Sequence, residues 1–584
     1  MSQRETSRPE PFHALRGAML TAAVMLVALL LMANMQTRDV FPTYYLERQD
    51  RPVAYLALVV FAAAWVWPGG GGRRLPPRLV GAFGRVSMGV RVAAIGALLL
   101  AVCLVGHYTV MWGYAFSRDE QMVLFDAEIF ARGRFAERIP EWWAPLHRAL
   151  NVHYMLLAAI GTGWASNYLP VNAGLHMIAG KLATPWLANP FLTVVGLVAT
   201  WRVARRILPG DNESQFVAIV LYATSTQVLA LGMTSYAMTG HLTLNMVWLA
   251  LFLHGRWYAH VAALAVGVLA TGLHQLPFHP LFAGPVLLFC LVLRRRWAWS
   301  LFYAIGYAAA LLFWVRYSLI PLGELGVAAR SADADRTLFL RMMWAVQDIS
   351  WQYLWTQACN LLRFVAWQNL LFLPLFVVGV REAVRRRDPL LLALAVAVIG
   401  FMLFRLVFRP YQGHGWGYRY IHGFMGAGCL LAAIGWRSLR DRQQIAVRHF
   451  AAATAATLLV ATPWLLWQAH HFSGLYAQTD RAIAATDADF VIVDEYAPVF
   501  TGDLVFNPPY LDRRPIRLLA GHIGPRELER LCARGSLAFV DAEDLAPIAT
   551  EFGMAPAADG GRVPPVRRAA EAHGCTIEPL APIR

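Results

Sequence analysis

The chain has 584 residues, of which 58% are hydrophobic and only 15% are charged. Apolar runs of about 20 residues, the length that crosses a bilayer core, recur along most of it and exclude a water-soluble protein. The formal charge of +15 is nearly all arginine, which in such a chain marks cytoplasmic loops rather than a nucleic-acid surface. No P-loop, dinucleotide-binding glycine motif or HExxH motif is present, so the corresponding phosphate, nucleotide and zinc chemistries have no support.

The apolar segments predict a mostly α-helical, polytopic membrane protein of about 13 transmembrane helices. The first segment has a basic flank and is predicted to be a signal anchor rather than a cleaved signal peptide. The predicted spans are 15–35, 52–67, 92–113, 188–208, 215–232, 240–254, 258–274, 277–293, 298–320, 362–380, 389–408, 421–436 and 448–468.

Arginine clusters between the spans predict the orientation of the chain. They lie in the ranges 73–91, 202–206, 294–296, 381–387 and 437–442. Positively charged loops stay in the cytoplasm, so these loops and the N-terminus are predicted to be inside. The acidic stretch near 120, the loops 321–361 and 409–420, and the chain after about 470 are then outside. Between the acidic stretch outside and the cluster 202–206 inside, the chain must cross the membrane an odd number of times, so the short piece 171–184 is predicted to be re-entrant or interfacial on the outer side.

The tail, from about residue 470 to 584, differs from the apolar segments before it in its predicted secondary structure. The segments 489–496 and 536–544 are typical of short buried strands, and 524–535 is typical of a helix between them. We expect a small extracytoplasmic α/β domain over 469–584, after a two-span extension over 1–91 and a transmembrane core over 92–468. Outside the cytoplasm, Cys532 and Cys575 could form one disulfide.

The outer loop 115–170 carries the most charge. Its stretch SRDEQMVLFDAEIFARGRFAERIPEWW (117–143) begins with Ser117 followed three residues later by Glu120, a pattern typical of a helix capping box. A cap accounts for the first acids, but it leaves Asp126 unexplained, since Asp126 returns to the face of Asp119 two turns later. Glu128 is the fourth carboxylate of this stretch.

Four segments in order resemble the GT-C superfamily of membrane glycosyltransferases, in particular the protein O-mannosyltransferases and the lipid A aminoarabinose transferases. An Asp-Glu pair opens a helix in an early outer loop, as in that family, and GTGWASNYLP (161–170) resembles the segment that closes the loop. The range 185–207 is similar to the next span with its arginine end, and GYRYI (417–421) to a late Gly-x-Arg-Tyr segment. The resemblance covers residues 92–436.

The resemblance implies an inverting transfer of a sugar from a polyprenyl-phosphate donor to an acceptor hydroxyl of a lipid or glycan, at the outer face of the cytoplasmic membrane. It makes Asp119 the expected general base, worth about 10²–10⁴-fold in rate. Glu120 is expected to orient Asp119 or bind the acceptor, with the cap as the alternative. Asp126 or Glu128 could supply a further acid for the acceptor site.

The leaving lipid phosphate requires cations and hydrogen-bond donors at the same interface. The loop 409–420 offers Arg409, His414 and Arg419, with Tyr420 as a stacking face for the sugar. Its alternative role is an interfacial belt of aromatic rings with snorkelling arginines. Tyr168, in the segment that closes the acidic loop, is also expected to line the donor site.

The sequence departs from the family at two places. His274 stands where many members carry a cation that contacts phosphate, so it or His279 is expected to take over that contact, with local hydrogen bonding in a turn as the alternative. His241 stands where an aspartate is common and is expected to bind the acceptor or support the site. Lys181, the only lysine, is a further donor-site candidate or a snorkelling residue. No cofactor is expected, and a divalent metal is not favoured because the histidines lack carboxylate partners at ligand spacing.

Two other functions remain open from the sequence. A transporter or flippase of polyprenyl-linked sugars would also use arginines and aromatic rings at the interface, and a GT-C relative could have lost its chemistry. Transporters place ionisable groups at mid-bilayer on broken helices. The acids here cluster in one outer loop, which favours the enzyme.

Overall fold

The computed structural model describes residues 13–35, 40–66, 86–327, 350–407, 412–495, 500–555 and 561–583. The chain is mostly helical and is a multi-pass membrane protein. Within the described residues, six helices are long and apolar enough to cross a membrane. They are His13–Ala33, Met88–Thr109, Pro185–Ile207, Trp297–Val315, Pro389–Leu406 and Val447–Ala484.

The other predicted spans correspond to shorter or broken helices. The pair Asn212–Ala223 and Thr226–Gly232 would pass as one span, but it is bent by 54° at its break. The remaining shorter helices of the bundle are Arg51–Val66, Met238–His254, Trp257–Thr271, Phe278–Leu287, Trp351–Ala366, Phe372–Arg386 and Met425–Asp441.

The span predicted at 362–380 is wrong, because the chain breaks in its middle between Trp351–Ala366 and Phe372–Arg386. The break lies against the break at residue 224. Ser225 Oγ donates to Gln368 Oε1 at 2.6 Å, and Asn369 Nδ2 donates to Thr224 Oγ1 at 3.0 Å. Non-helical backbone inside a membrane protein needs polar partners from the protein itself. The two breaks supply side-chain partners to each other.

Glycines bring two helices of the core into close contact. A Cβ atom on Gly379 would lie 1.9 Å from the carbonyl oxygen of Leu431, and one on Gly435 would lie 2.0 Å from that of Leu375. Small residues let helix backbones approach where lipid offers no hydrophobic driving force. Phe372–Arg386 and Met425–Asp441 therefore pack backbone to backbone, and any larger residue at either glycine would separate them.

Short elements cover one end of the bundle. They include the helices Val40–Tyr45, Arg118–Ala131, Val171–Leu182 and Leu319–Glu324, and the 3₁₀ segments Glu141–Leu150 and Arg419–Phe424. The strands β1 (Glu137–Arg138) and β2 (Gly163–Trp164) form one antiparallel pair. These elements hold the acidic loop and the Gly-x-Arg-Tyr segment over the bundle, where the candidate site forms.

The tail contains a parallel sheet of three strands, β3 (Phe490–Val493), β4 (Ile516–Leu519) and β5 (Leu537–Val540). Their order in the sheet is β4–β3–β5, and Phe490 is in register with both Ile516 and Leu537. The helices Pro525–Cys532, Ala546–Glu551 and Val563–Ala572 accompany it. Cys532 and Cys575 form a disulfide. The sequence pattern predicts β3, β5 and the first helix, but it misses β4, a four-residue strand with an arginine in it.

Candidate functional site

The site is built on the helix Arg118–Ala131, here called the acidic helix. Asp119 and Glu120 lie in its first turn, where the positive end of the helix dipole favours carboxylates. The predicted capping box is wrong. Ser117 Oγ accepts a hydrogen bond from the Tyr236 hydroxyl at 2.6 Å, and Glu120 accepts the backbone N–H of Ser235 at 3.0 Å. Both side chains are buried, and tertiary partners take the place of the local cap.

Asp119 contacts two other predicted site residues, Arg419 and Tyr168. Its Oδ2 atom lies 2.5 Å from Nη1 of Arg419 in an ion pair whose side chains are only 14% and 5% exposed. The hydroxyl of Tyr168 donates to the Oδ1 atom of Asp119. Both carboxylate oxygens therefore have a partner, one cationic and one neutral. The acidic loop, its closing segment and the Gly-x-Arg-Tyr segment meet at this carboxylate.

The orientation of Arg419 is fixed by its own loop. Its Nε atom donates to the carbonyl oxygen of Gln412 at 2.7 Å, and its backbone N–H donates to Gln412 Oε1 at 2.8 Å. Its guanidinium lies 4.8 Å from the ring centre of Tyr236. Gly415 has a φ of 152°, and a Cβ atom there would lie 2.6 Å from Arg419 Cδ. A glycine is required at 415 for the arginine to fit.

The two carboxylates of the first turn, Asp119 and Glu120, differ in their pKa values. Burial alone would raise the pKa of Asp119, but Arg419, His274 and the Tyr168 hydrogen bond together hold it below its usual value. Burial raises the pKa of Glu120 to about 7, against the hydrogen bond from Ser235. Asp119 is thus the ionised carboxylate near neutral pH. Glu120 is poised close to protonation, which suits a structural acceptor better than a permanent charge.

Aromatic rings and a second arginine line the same region. The imidazole of His274 stacks on Tyr168 with ring centres 4.7 Å apart, and burial lowers the pKa of His274 to about 4, so the ring is neutral at pH 7. Arg405 lies 4.4 Å above the ring of Tyr420, and Arg419 lies 5.4 Å from the same ring. Sequence reasoning missed Arg405, although an arginine at the outer end of an apolar span was a signal for it.

His414 is linked to the Asp119–Arg419 pair through Tyr236, whose hydroxyl donates to the His414 carbonyl oxygen at 3.4 Å and whose ring packs against Arg419. The Nδ1 atom of His414 forms a hydrogen bond of 3.2 Å with the Tyr45 hydroxyl, and the centre of its ring lies 3.8 Å from the ring centre of Phe500. Lys181 is exposed on the helix Val171–Leu182. Arg409 lies outside the described residues.

The two remaining acids of the loop differ in environment. Asp126 is buried, and desolvation raises its pKa to about 8 against a hydrogen bond from Ser166, so its carboxyl is mostly neutral at pH 7. Glu128 is at the surface and pairs with Arg513 at 3.2 Å. His241 is buried, and neither of its ring nitrogens has a hydrogen-bond partner in the described part of the chain.

Across the described ranges, no three or more His, Cys, Asp or Glu side chains are arranged to hold a metal ion. The cationic groups nearest the acidic helix are arginines instead. Arg118, Arg405 and Arg419 are each almost fully buried. The arrangement provides one ionised carboxylate beside fixed positive charge and neutral aromatic surface.

We expect Glu120→Gln to keep the site nearly intact. The glutamine carbonyl can still accept the Ser235 N–H, whereas Glu120→Ala leaves that buried donor unpaired at a cost of about 1–3 kcal/mol. The measurement is thermal unfolding of the detergent-solubilised variants together with their binding of polyprenyl phosphate. Equal loss in both variants would show that the negative charge of Glu120, and not its hydrogen bond, is needed.

The chain shares its fold with a solved membrane protein. A crystal structure of ArnT from Cupriavidus metallidurans bound to undecaprenyl phosphate matches with a TM-score of 0.50 at 14% identity, covering 80% of this chain and 88% of that chain. The apo ArnT structure from the same organism gives 0.48 at 13% identity, covering 80% and 89%. The Archaeoglobus fulgidus oligosaccharyltransferase in complex with Zn and sulfate gives 0.39 at 12% identity, covering 68% and 60%. No family model and no curated protein sequence matches the chain.

Proposed function

We propose that the protein is an inverting glycosyltransferase that moves a sugar from a polyprenyl-phosphate donor to an acceptor hydroxyl. The observation that carries the proposal is the buried pair of Asp119 and Arg419 at 2.5 Å, with Tyr168 on the second carboxylate oxygen. Such a reaction needs a base for the acceptor hydroxyl and a cation for the leaving phosphate within one site. Asp119 and Arg419 come together in one site from segments 300 residues apart.

In the proposed reaction, the acceptor oxygen attacks the anomeric carbon while Asp119 takes the hydroxyl proton. The bond between that carbon and the phosphate oxygen breaks on the opposite face, so the configuration inverts. The leaving group is polyprenyl phosphate, whose charge Arg419 neutralises with Arg405 nearby. Tyr168, His274 and Tyr420 would contact the sugar. Asp119 is the group with the right charge, because its pKa is held low.

The proposed location is the cytoplasmic membrane, with the N-terminus inside and the tail outside. The arginine-rich loops support this orientation by the positive-inside rule. The disulfide between Cys532 and Cys575 supports it independently, since such bonds persist in oxidising compartments. The fold shared with ArnT, which has been crystallised with undecaprenyl phosphate, supports a polyprenyl-linked donor. The acceptor would be a lipid or a glycan of the cell envelope.

Purified protein is incubated with a panel of synthetic polyprenyl-phosphate sugars and cell-envelope extract, and free polyprenyl phosphate is followed by mass spectrometry. We expect release from one donor, together with a glycosylated acceptor in the extract. Binding of donors without any release would contradict the enzyme. Movement of a labelled donor between leaflets of proteoliposomes would then favour the alternative, a transporter of polyprenyl-linked sugars.

A further inference from the structure

The acidic helix is held at its N-terminus by a segment of the tail. The turn Thr501–Val505, here called the tail clamp, lies against the first turn that carries Asp119. Asp503 Oδ2 accepts the backbone N–H of Arg118 at 3.2 Å, and the Asp503 carbonyl oxygen accepts Gln121 Nε2 at 2.7 Å. The cap that Ser117 fails to provide therefore comes from a residue 385 positions later in the chain.

The tail clamp also fixes the loop beside the acidic helix. Asn151 Nδ2 donates to the carbonyl oxygens of Gly502 at 2.8 Å and Val505 at 3.3 Å. The carbonyl oxygen of Asn151 accepts a hydrogen bond of 2.5 Å from Nη2 of Arg118. Arg118, Asn151 and the tail clamp thus form one buried network directly next to Asp119.

Both ends of the acidic helix are attached to the tail. At the C-terminal end, the Tyr510 hydroxyl donates to the carbonyl oxygen of Glu128 at 3.1 Å, and Arg132 lies 3.2 Å above the Tyr510 ring. The tail therefore contacts the acidic helix at both of its ends, in addition to the helix Val171–Leu182, which packs along it.

The tail clamp is in turn fixed to the tail sheet. Arg517 of β4 donates to the Leu504 carbonyl oxygen at 3.0 Å and pairs with Asp480. The Thr501 hydroxyl donates to the Asp494 carbonyl oxygen, directly after β3, at 2.8 Å. The contact between Asp503 and Arg118 is therefore the last link of a chain of hydrogen bonds that begins in the sheet.

We propose that Asp503 is a positioning residue for the transfer reaction, and that the tail completes the active site by orienting the acidic helix. The inference rests on the proposed function for its catalytic part. Misplacement of a reacting group by about 1 Å costs up to about 10²-fold in rate. Asp503→Ala is expected to lower kcat about 10–100-fold while KM for the donor changes less than threefold, because Arg419 and the aromatic rings remain.

Rescue by the isosteric variant separates positioning from charge. The amide oxygen of Asp503→Asn can still accept the Arg118 N–H, so this variant is expected to keep kcat within about threefold of wild type. The matched control is Glu527→Ala. Glu527 Oε2 accepts the Gly524 backbone N–H at 3.1 Å, so it is a comparable side-chain cap, on the tail helix Pro525–Cys532 and outside the tail clamp. The control is expected to leave kcat unchanged.

Amide hydrogen exchange gives a readout that does not require activity. In Asp503→Ala of the full-length protein, the amides of residues 118–121 are expected to exchange faster, while those of 124–129 keep their wild-type protection. Unchanged exchange and kcat in Asp503→Ala would overturn the inference, as would an equal kcat loss in Glu527→Ala. If wild type transfers no sugar, the proposed function and the catalytic part fail together, and the exchange result decides on the clamp alone.

Discussion

Asp119→Asn is expected to lower the rate of sugar transfer by about 10²–10⁴-fold, the usual contribution of a general base. The amide can still accept the Tyr168 hydroxyl, but it cannot take a proton from the acceptor. Donor binding should persist, because Arg419 keeps its bonds to Gln412. The measurement is single-turnover release of polyprenyl phosphate, compared with equilibrium binding of the donor.

The matched control for this variant is Glu137→Gln. Glu137 is a carboxylate of the same outer loop that pairs with Arg134 at 3.1 Å, and that arginine is 59% exposed. Neutralising it is expected to change the rate by less than threefold. Release that continues at the wild-type rate in Asp119→Asn would remove Asp119 from the reaction, while the enzyme itself would stand.

Arg419→Gln is expected to affect both activity and stability. It removes the cation that we propose faces the leaving phosphate, at a cost of about 10²–10³-fold in rate, by analogy with the loss of one oxyanion-stabilising donor. It also leaves the buried carboxylate of Asp119 without its charge partner, which costs about 3–5 kcal/mol in the free energy of unfolding. Thermal unfolding in nanodiscs measures the second effect separately from the first.

The pH dependence of the transfer rate tests the electrostatic interaction between Arg419 and Asp119. Arg419 lowers the pKa of Asp119 and burial raises it, so removing the arginine must raise the pKa. The acid limb of the rate profile of Arg419→Gln should therefore move to higher pH than in wild type. The double variant Asp119→Asn with Arg419→Gln should be more stable than Arg419→Gln alone, since no unpaired carboxylate remains.

Arg134→Gln is the control for these measurements, because its guanidinium pairs with Glu137 from an exposed position. Exposed pairs contribute about 0–1 kcal/mol, so its unfolding temperature and rate profile should match wild type. An Arg419→Gln variant with wild-type stability and an unmoved acid limb would show that Arg419 does not set the charge of Asp119.

The parts of the molecule with a local signal could be predicted from the sequence. Apolar length predicts the long spans, and short continuous apolar runs predict β3 and β5. The order of four short motifs selected Asp119, Tyr168 and Arg419, and the structure brings these three together. Order along the chain carried information that no single motif carried, since each motif alone is weak.

The parts that depend on distant partners could not be predicted. Ser117 and Glu120 fit a capping pattern, but Tyr236 and Ser235 bind them instead. Nothing near Asp503 indicates that it caps a helix 385 residues earlier. The break inside 362–380 was missed because Gln368 and Asn369 interrupt the apolar run only briefly, and their partners lie in another helix. Local patterns describe what a segment can do, and tertiary contacts decide what it does.

The two facing helix breaks bear on how the protein enters the membrane. Ser225 is inserted 143 residues before its partner Gln368. Until the second break arrives, the Thr224 and Ser225 side chains have local partners in Val220 and Val228, but they lack the tertiary partners Gln368 and Asn369. The polar contacts of the segment 212–232 are therefore completed only after more than 100 further residues have been synthesised. The two broken helices therefore depend on each other during membrane insertion, because the first acquires its tertiary partners only when the second has been inserted.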